Sequence, residues 1–196
     1  MRGIALFRIG LWAFVALCAG AAVSVFYFGS EQGREDAAYG TPFQLVDQNG
    51  AEITEKALRN GKPSAVFFGF THCPDVCPTT LAELAGYQKA LKADGKDLQV
   101  VFVSVDPERD TPAVLKNYVA AVSPDITAIT GEPARIAEML KGFGVYSKKV
   151  GDGPDYSMDH TATTFLLDSA GYFSGTIAYG ENPKTAKEKL DRLATL

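Results

Sequence analysis

The sequence predicts an α/β fold in three layers, with one sheet between helices. Three observations predict it: a hairpin signal near the start, alternating apolar strands and amphipathic helices, and a second hairpin followed by a closing helix. With 196 residues, of which 46% are hydrophobic, the chain is long enough to bury one substantial core. We therefore expect one folded domain over residues 42–196.

The first elements of this domain are a hairpin, a buried strand and a helix. The pair Asn49-Gly50 favours the tight turn of a hairpin, and residues 43–47 and 51–54 flank it as strands. A continuous apolar run at residues 64–70 predicts a strand that is covered on both faces. An amphipathic helix comes next, and we expect it to begin at residue 78 or 79.

The later elements are predicted from the same two periodicities. A β-branched run at residues 98–105 predicts a second central strand, and the polar turn at 106–112 leads into a helix that ends near Val122. The remaining predicted elements are a strand at 126–129, a helix at 132–143, a strand at 145–150, a loop at 151–157, a hairpin of 163–168 with 173–178, and a helix at 183–196. Strands separated by helices should run parallel, and the last hairpin should add an antiparallel edge.

The amino terminus differs in kind from the rest of the chain. Residues 9–28 carry no charge, and about 20 such residues are enough for a helix to cross a bilayer. Arg2 and Arg8 precede this run, so the positive-inside rule predicts that the remainder of the chain is exported. We predict a membrane anchor at residues 1–29 and a flexible, polar tether at residues 30–41. A cleaved signal peptide is the alternative, but the apolar run exceeds the usual length of such a signal.

Charge and topology limit the location and the partners. We expect a single-pass protein of the inner (cytoplasmic) membrane whose soluble domain faces the periplasm. The formal net charge is −4 and no cluster of Lys and Arg occurs, which argues against nucleic acid as a partner.

Two cysteines at a strand-to-helix turn are the most informative feature of the chain. Cys73 and Cys77 come after the buried strand and precede the helix, between Pro74 and Pro78. Open α/β sheets bind ligands at the carboxyl ends of their strands. A helix N-terminus also favours the thiolate, which is the form that binds metals and attacks disulfides. The turn therefore predicts metal or redox chemistry, whereas a structural disulfide closing so short a loop would contribute little stability.

One of the two histidines is a candidate metal ligand. His160 lies just before the strand predicted at 163–168, and in such a sheet this position is beside the cysteine turn. Two thiolates and one imidazole suit copper, because sulfur stabilises Cu(I) and imidazole also tolerates Cu(II). Asp159 is a candidate to orient the imidazole. His72 directly precedes Cys73, so we expect its side chain to point away and to have a structural role.

Other polar residues have two open interpretations. Met158 offers a thioether, although packing is its ordinary role. Asp106 and Asp110 flank Arg109 in a polar turn. The first interpretation is a solvated loop in which Asp110 or Thr111 caps the next helix, and the second is a functional role.

The order of elements, with a cysteine pair at the end of a central strand, predicts a thioredoxin-like fold. Three motifs then carry a family resemblance. They are Thr-His-Cys-Pro-Asp-Val-Cys-Pro at 71–78, Asp-Pro-Glu-Arg-Asp-Thr-Pro at 106–112 and Tyr-Ser-Met-Asp-His at 156–160. Together they resemble the Sco/SenC family, whose members are thioredoxin-fold copper proteins that help to assemble the dinuclear copper centre in subunit II of cytochrome c oxidase.

The resemblance implies a site and a partner. It implies that Cys73, Cys77 and His160 are the ligands of copper, as Cu(I) or Cu(II), and we expect one ion per chain. The implied partner is cytochrome c oxidase subunit II or another exported copper protein. The resemblance leaves open whether this chain delivers copper, reduces the cysteines of the receiving protein, or senses the redox state.

The alternative function is a thiol–disulfide oxidoreductase that reduces cysteines of an exported partner. Cys73 would then be the attacking thiol and Cys77 the resolving thiol. Two departures weaken this alternative: three residues separate the thiols instead of the usual two, and Ala162 stands where such reductases usually have a cis-proline. A peroxidase is a third possibility, but Thr71 is too close to Cys73 for the Thr-x-x-Cys arrangement that it needs.

Overall fold

A seven-stranded mixed sheet lies at the centre of the folded part of the chain. The computed structural model describes residue 8 and residues 11–21, 23–24 and 39–195. Within residues 39–195 the strands are β1 (Gln44–Asp47), β2 (Glu52–Thr54), β3 (Ser64–Gly69), β4 (Gln99–Ser104), β5 (Ile126–Thr130), β6 (Ser147–Val150), β7 (Ser157–His160), β8 (Thr163–Leu167) and β9 (Phe173–Ala178). The α-helices of the same range are α1 (Val76–Ala93), α2 (Pro112–Val122), α3 (Pro133–Phe143) and α4 (Pro183–Leu193).

The sheet has a parallel centre and two antiparallel edges, of which the parallel centre and the edge formed by the last hairpin were predicted. Its strand order is β2-β1-β5-β4-β3-β8-β9. The central strands β3, β4 and β5 are parallel, because a helix crosses over between each consecutive pair. The hairpin β1–β2 pairs antiparallel with β5 at one edge, and the hairpin β8–β9 pairs antiparallel with β3 at the other.

Helices cover both faces of the sheet and give the predicted three layers. Successive side chains of β3 point to opposite faces. The Phe68 ring therefore packs on one face against Phe143 of α3, with ring centroids 5.1 Å apart. On the other face lies α1, whose Cys77 sulfur is close to Gly69, and α2 and α4 pack beside α1. Every residue of β3 is buried, so the strand that leads into the cysteine turn is at the centre of the core.

Helix α1 begins earlier than predicted. Its first residue is Val76, with Asp75 as the N-cap, so Cys77 and Pro78 both lie in its first turn. Proline is tolerated there because the N–H groups of the first turn have no partner within the helix. The proline suggested a start at residue 78 or 79, but the helix includes one of the two cysteines.

Strand β7 was not predicted. The sequence suggested a loop at residues 151–157 and an approach to the next strand, but Ser157–His160 pairs antiparallel with β6 in a separate two-stranded sheet. Ser147 lies opposite His160 in this pairing. The strand is short and polar, so its own pattern carried too little hydrophobic alternation to identify it. We call β6, β7 and the loop between them the histidine hairpin.

The amino-terminal predictions fall partly outside the described residues. Residues 11–21 and 23–24 are helical, within the run predicted as an anchor. Among residues 8, 11–21, 23–24 and 39–195, no helix combines the length and apolarity needed to cross a bilayer. Residues 1–7, 9–10, 22 and 25–29 of the predicted anchor and residues 30–38 of the predicted tether lie outside these residues. At the end of that tether, Tyr39 packs against the Phe165 ring and its hydroxyl donates to the Phe143 carbonyl.

Candidate metal centre

The two thiols differ in their surroundings. Both cysteines are free thiols, but Cys77 is fully buried while Cys73 is partly exposed. The backbone N–H of Cys77 donates to the sulfur of Cys73 at 3.3 Å, so Cys73 accepts one of the free N–H groups of the first turn of α1. The cysteine turn thus offers one accessible sulfur and one sulfur enclosed by the core.

Burial dominates the acidity of the inner thiol. We expected the helix N-terminus to favour the thiolate of both cysteines. For Cys77 the opposite holds, because desolvation raises its pKa above the usual value, while a backbone hydrogen bond from Phe70 acts in the other direction. Burial therefore favours the protonated form of this thiol, and a positive ion beside the sulfur would favour its deprotonation.

Gly69 provides the space for the Cys77 sulfur. A Cβ at this position would lie 2.8 Å from the Cys77 sulfur and 2.9 Å from the Phe102 ring. Both distances are too short for real carbon contacts, so a larger residue would have to displace one of these groups. Sequence reasoning missed this role, and the only signal was a glycine at the end of a strand that was otherwise apolar and bulky.

His160 approaches the inner thiol. Its Nε2 lies 3.7 Å from the Cys77 sulfur, and its Nδ1 donates to the Thr161 carbonyl at 3.1 Å. Because Nδ1 carries the proton, Nε2 has its lone pair free on the side of the sulfur. Burial lowers the pKa of His160, which favours the neutral imidazole that binds metals. The sequence suggested that Asp159 orients the imidazole, but in the structure the Thr161 carbonyl does so.

The sheet explains how a remote histidine reaches the cysteine turn. Strand β8 runs antiparallel to β3, with Thr164 opposite Phe67. The segment that enters β8 therefore lies at the carboxyl end of β3, where the cysteine turn begins. The Phe67 and Phe70 rings flank the imidazole edge to face, with centroids 6.3 and 5.8 Å from it. The predicted meeting of imidazole and thiol is thus a consequence of strand pairing.

The donor spacing fits a shared metal ion. An ion about 2.3 Å from a thiolate and about 2.0 Å from an imidazole holds these two donors roughly 3.5 Å apart in a tetrahedral arrangement, as zinc sites illustrate. The observed 3.7 Å between Cys77 and His160 is close to this value. In the part of the chain that the structure describes, no three His, Cys, Asp or Glu side chains are arranged to hold a metal ion as they stand. A site with three donors therefore needs one side chain to adjust.

Two other candidates, His72 and Met158, have contacts of a structural kind. His72 is exposed, and its Nδ1 lies 3.2 Å from the Thr71 hydroxyl. Since that hydroxyl donates to Asp110, the imidazole is the donor to Thr71. Met158 packs against the hydrophobic core. These contacts agree with the structural roles expected for both residues.

Asp110 holds the cysteine turn to the neighbouring motif. It is fully buried and accepts hydrogen bonds from the Thr71 N–H at 3.1 Å, the Thr71 hydroxyl at 2.6 Å and the Ser104 hydroxyl at 2.6 Å. Burial raises the pKa of Asp110, and these hydrogen bonds oppose the rise. The solvated-loop interpretation of this aspartate was wrong, because the carboxylate is an internal brace. The N-cap of α2 is Thr111, which accepts from the Val114 N–H at 3.4 Å.

Asp106 and Arg109 hold the histidine hairpin. The buried Asp106 carboxylate accepts from Arg109 and, at 2.6 Å, from the Tyr156 hydroxyl. The Arg109 guanidinium lies 3.5 Å from the Tyr156 ring centroid and donates to the Tyr156 carbonyl at 2.9 Å. The Lys149 ammonium lies 3.7 Å from the same ring centroid. We call Asp106, Arg109 and Tyr156 the polar clasp, because they join the two later motifs of the sequence.

Comparisons with known proteins identify the family of this chain. The SCO1/SenC family model matches residues 31–195. The structure of Bradyrhizobium japonicum ScoI with copper bound is 46% identical, with a TM-score of 0.72, and the match covers 80% of this chain and 99% of that chain. BsSco, described with a disulfide switch and as a member of the Sco family of cytochrome c oxidase assembly proteins, is 28% identical, with a TM-score of 0.64 over 81% of this chain and 95% of that chain.

A curated relative gives the same result from sequence. The SCO2-like protein of Rickettsia prowazekii is 39% identical over 137 residues, which are 68% of this chain and 66% of that protein. The structural likenesses confirm the thioredoxin-like α/β fold expected for the domain. The family match covers all three motifs that carried the resemblance. The chain therefore belongs to the SCO1/SenC family.

Proposed function

We propose that this chain binds one copper ion through Cys73, Cys77 and His160, and that it helps to assemble the dinuclear copper centre in subunit II of cytochrome c oxidase. The observation that carries the proposal is the 3.7 Å approach of the His160 Nε2 to the Cys77 sulfur. The copper-bound ScoI structure, at 46% identity, and the description of BsSco within a family of oxidase assembly proteins support it.

The donor set suits a protein that acquires and releases copper. Thiolates favour Cu(I), and a neutral imidazole keeps Cu(II) accessible as well. Cys77 is fully buried, whereas Cys73 and His160 are both partly exposed, so a receiving protein can approach the ion from the side of these two donors. In this function copper is cargo, and the chain's own groups select it, hold it and present it.

Copper titration of the full chain in detergent tests the ligand set, because the sequence contains its own control. Only two histidines occur, and His72 adjoins Cys73 but has its hydrogen bond with the Thr71 hydroxyl. We expect His160→Ala to lose the Cu(II) spectrum of the wild type. His72→Ala should keep about one copper per chain with an unchanged spectrum. Replacing either Cys73 or Cys77 by Ser should abolish tight binding, since a hydroxyl does not replace a soft thiolate.

Two results would reject this ligand assignment. One is a His160→Ala variant that binds Cu(II) with the affinity and spectrum of the wild type. The other is equal loss in His72→Ala and His160→Ala, which would indicate a site in the cysteine turn alone.

A second candidate function is reduction of a disulfide in an exported partner. The unequal exposure of the thiols favours it: the partly exposed Cys73 suits attack, and the buried Cys77 suits resolution. The Cys73 thiolate would attack a partner disulfide, form a mixed disulfide and release one partner thiolate. The Cys77 thiol would then attack the Cys73 sulfur, pass its proton to the departing partner sulfur and leave a Cys73–Cys77 disulfide. Two electrons pass to the partner, and an external dithiol must reduce the pair again.

A Cys77→Ser variant separates this function from copper delivery. If reduction is the function, this variant should accumulate a mixed disulfide between Cys73 and a partner peptide, and His160→Ala should react at the wild-type rate. Failure to trap the mixed disulfide would remove this candidate and leave copper binding unaffected.

The proposed location rests on the sequence of the amino terminus. We propose that residues 1–29 anchor the chain in the inner membrane and that the domain faces the periplasm. The uncharged run at residues 9–28, preceded by Arg2 and Arg8, supports this orientation. A reporter enzyme that is active only in the periplasm, fused after Leu196, should be active. Activity of a cytoplasmic reporter at the same position would reject the proposed orientation.

A further inference from the structure

A buried phenol near the thiols has no assigned role. The hydroxyl oxygen of Tyr118, on α2, is buried and has no hydrogen-bond partner among the described residues. Its ring packs against the Phe102 ring, with centroids 5.6 Å apart. A buried hydroxyl usually has a partner, because leaving it unpaired is unfavourable. The unpaired hydroxyl of Tyr118 therefore points to a hydrogen-bond partner that forms only in another state of the protein.

Packing places this phenol close to the inner thiol. A Cβ on Gly69 would lie within 3 Å of both the Cys77 sulfur and the Phe102 ring, so these two groups adjoin each other. Tyr118 packs on the same Phe102 ring, and helix α2 packs against α1, which carries Cys77. Burial raises the pKa of Tyr118, and negative charge on Cys77, Cys73 and Asp110 raises it further. The hydroxyl therefore keeps its proton and remains a donor.

The thiolates need such a donor. Copper binding converts Cys73 and Cys77 to thiolates, in a region that already holds the buried Asp110 carboxylate. Negative charge in so dry a region is stable only when hydrogen bonds or cations compensate it. The Cys77 N–H already donates to the Cys73 sulfur. The hydroxyl of Tyr118, in contrast, makes no hydrogen bond to any of the residues that the structure describes.

We propose that Tyr118 is a positioning residue of the copper site, whose hydroxyl donates a hydrogen bond to a cysteine thiolate when copper is bound. The inference rests on the proposed copper binding. Tyr118 is not a ligand, and its hydroxyl acts through sulfur by lowering the energy of the sulfur lone pairs. Rotation of the ring beside Phe102 is the movement that this proposal requires.

A single-oxygen deletion tests the proposal. Tyr118→Phe removes the hydroxyl and keeps the ring that packs on Phe102. Using the full chain in detergent and competition with a chromogenic chelator, we expect Cu(I) affinity to fall about tenfold, the effect of one hydrogen bond to a charged group. We also expect the sulfur-to-Cu(II) charge-transfer band to move to longer wavelength, because the thiolate electrons are held less tightly. A merely structural role would not move this band.

Tyr87→Phe is the matched control. The Tyr87 hydroxyl already donates its hydrogen bond to the Pro183 carbonyl, at 3.3 Å. This variant should keep the wild-type affinity and band. Before copper is added, the melting temperature of Tyr118→Phe should equal or exceed that of the wild type, because the deleted hydroxyl has no partner to lose among the described residues.

Three results would overturn the inference. They are an unchanged affinity and band in Tyr118→Phe, the same changes in Tyr87→Phe, and a lower melting temperature or failure to fold of Tyr118→Phe without copper. The last result would show that the hydroxyl has a structural partner. If the wild-type chain itself bound no copper, the proposed function would be rejected instead.

Discussion

The two halves of the candidate site are built differently. The sulfur half, residues 71–78, leaves the fully buried strand β3 and is braced from inside by Asp110. The imidazole half is the histidine hairpin, a two-stranded sheet outside the main sheet with mostly exposed side chains. Its described side-chain hydrogen bonds to the rest of the domain run largely through the polar clasp.

The core therefore holds the two thiols in place, whereas a few polar contacts hold the segment that carries His160. Displacing the thiols means disturbing the centre of the domain, whereas displacing His160 means opening a surface hairpin. Local stability in proteins varies in this way, and segments with few buried apolar contacts open first. We therefore expect changes in the sulfur half to affect global stability most, and changes in the imidazole half to act mainly on His160.

Asp110→Ala should have the largest effect. The change leaves the Thr71 N–H and the hydroxyls of Thr71 and Ser104 without their acceptor, at about 1–3 kcal/mol for each unsatisfied buried group. We expect the free energy of unfolding to fall by about 3 kcal/mol or more in chemical denaturation. Asp159→Ala removes an exposed carboxylate from the imidazole half and should change stability by less than about 0.5 kcal/mol. Equal losses in the two variants would break the comparison.

Gly69→Ala should have the next largest effect, because the added carbon meets the Cys77 sulfur and the Phe102 ring. Overpacking of a core usually costs about 1–3 kcal/mol, and here it also displaces a thiol. Gly86→Ala is a control of opposite sign: Gly86 lies within α1 with open space around it, so alanine should stabilise the protein by up to about 1 kcal/mol. Thermal unfolding of both variants measures the contrast, and a Gly69→Ala variant as stable as the wild type would contradict it.

Tyr156→Phe should have a smaller and local effect. It removes the hydrogen bond to the buried Asp106 carboxylate, worth about 1.5 kcal/mol or more, and keeps the ring that faces Arg109. Hydrogen exchange should become faster in Ser147–Val150 and Ser157–His160, with little change in β3. Tyr146→Phe is the control, since the Tyr146 side chain beside the same hairpin is 58% exposed. Equal acceleration in β3 and in the hairpin would show that the clasp supports the whole domain.

Lys149→Ala should have the smallest effect. Lys149 forms an exposed ion pair with Glu108 at 3.1 Å and lies over the Tyr156 ring. Exposed ion pairs contribute about 0–1 kcal/mol, and a cation over an aromatic ring adds a similar amount. We expect a combined loss of about 1 kcal/mol that becomes smaller at high salt. Lys148→Ala is the control. A larger loss of stability in Lys148→Ala than in Lys149→Ala would contradict the ion pair and ring contact of Lys149 as the stabilising interactions.

Much of the fold was predictable from the sequence, because its central elements carry strong local signals. Buried strands such as β3 and β4 are continuous apolar runs, and Asn49-Gly50 specifies its turn almost alone. Errors appeared where local patterns were weak or misleading. Strand β7 is polar and was missed, because its pairing with β6 stabilises it. The start of α1 was placed at residue 78 or 79 because of Pro78, but the helix begins at Val76.

The sequence itself identified Cys73, Cys77 and His160 as candidates, because thiols at a strand-to-helix turn and an imidazole just before a predicted neighbouring strand are chemically distinctive. Only the tertiary structure decided that Asp110 and Asp106 are buried braces, that Gly69 makes room for sulfur, and that the Tyr118 hydroxyl has no partner among the described residues. The physical reason is that burial and hydrogen bonding of a polar side chain depend on neighbours far away in the chain. An aspartate in a polar turn has the same local sequence whether water or a distant threonine is its partner.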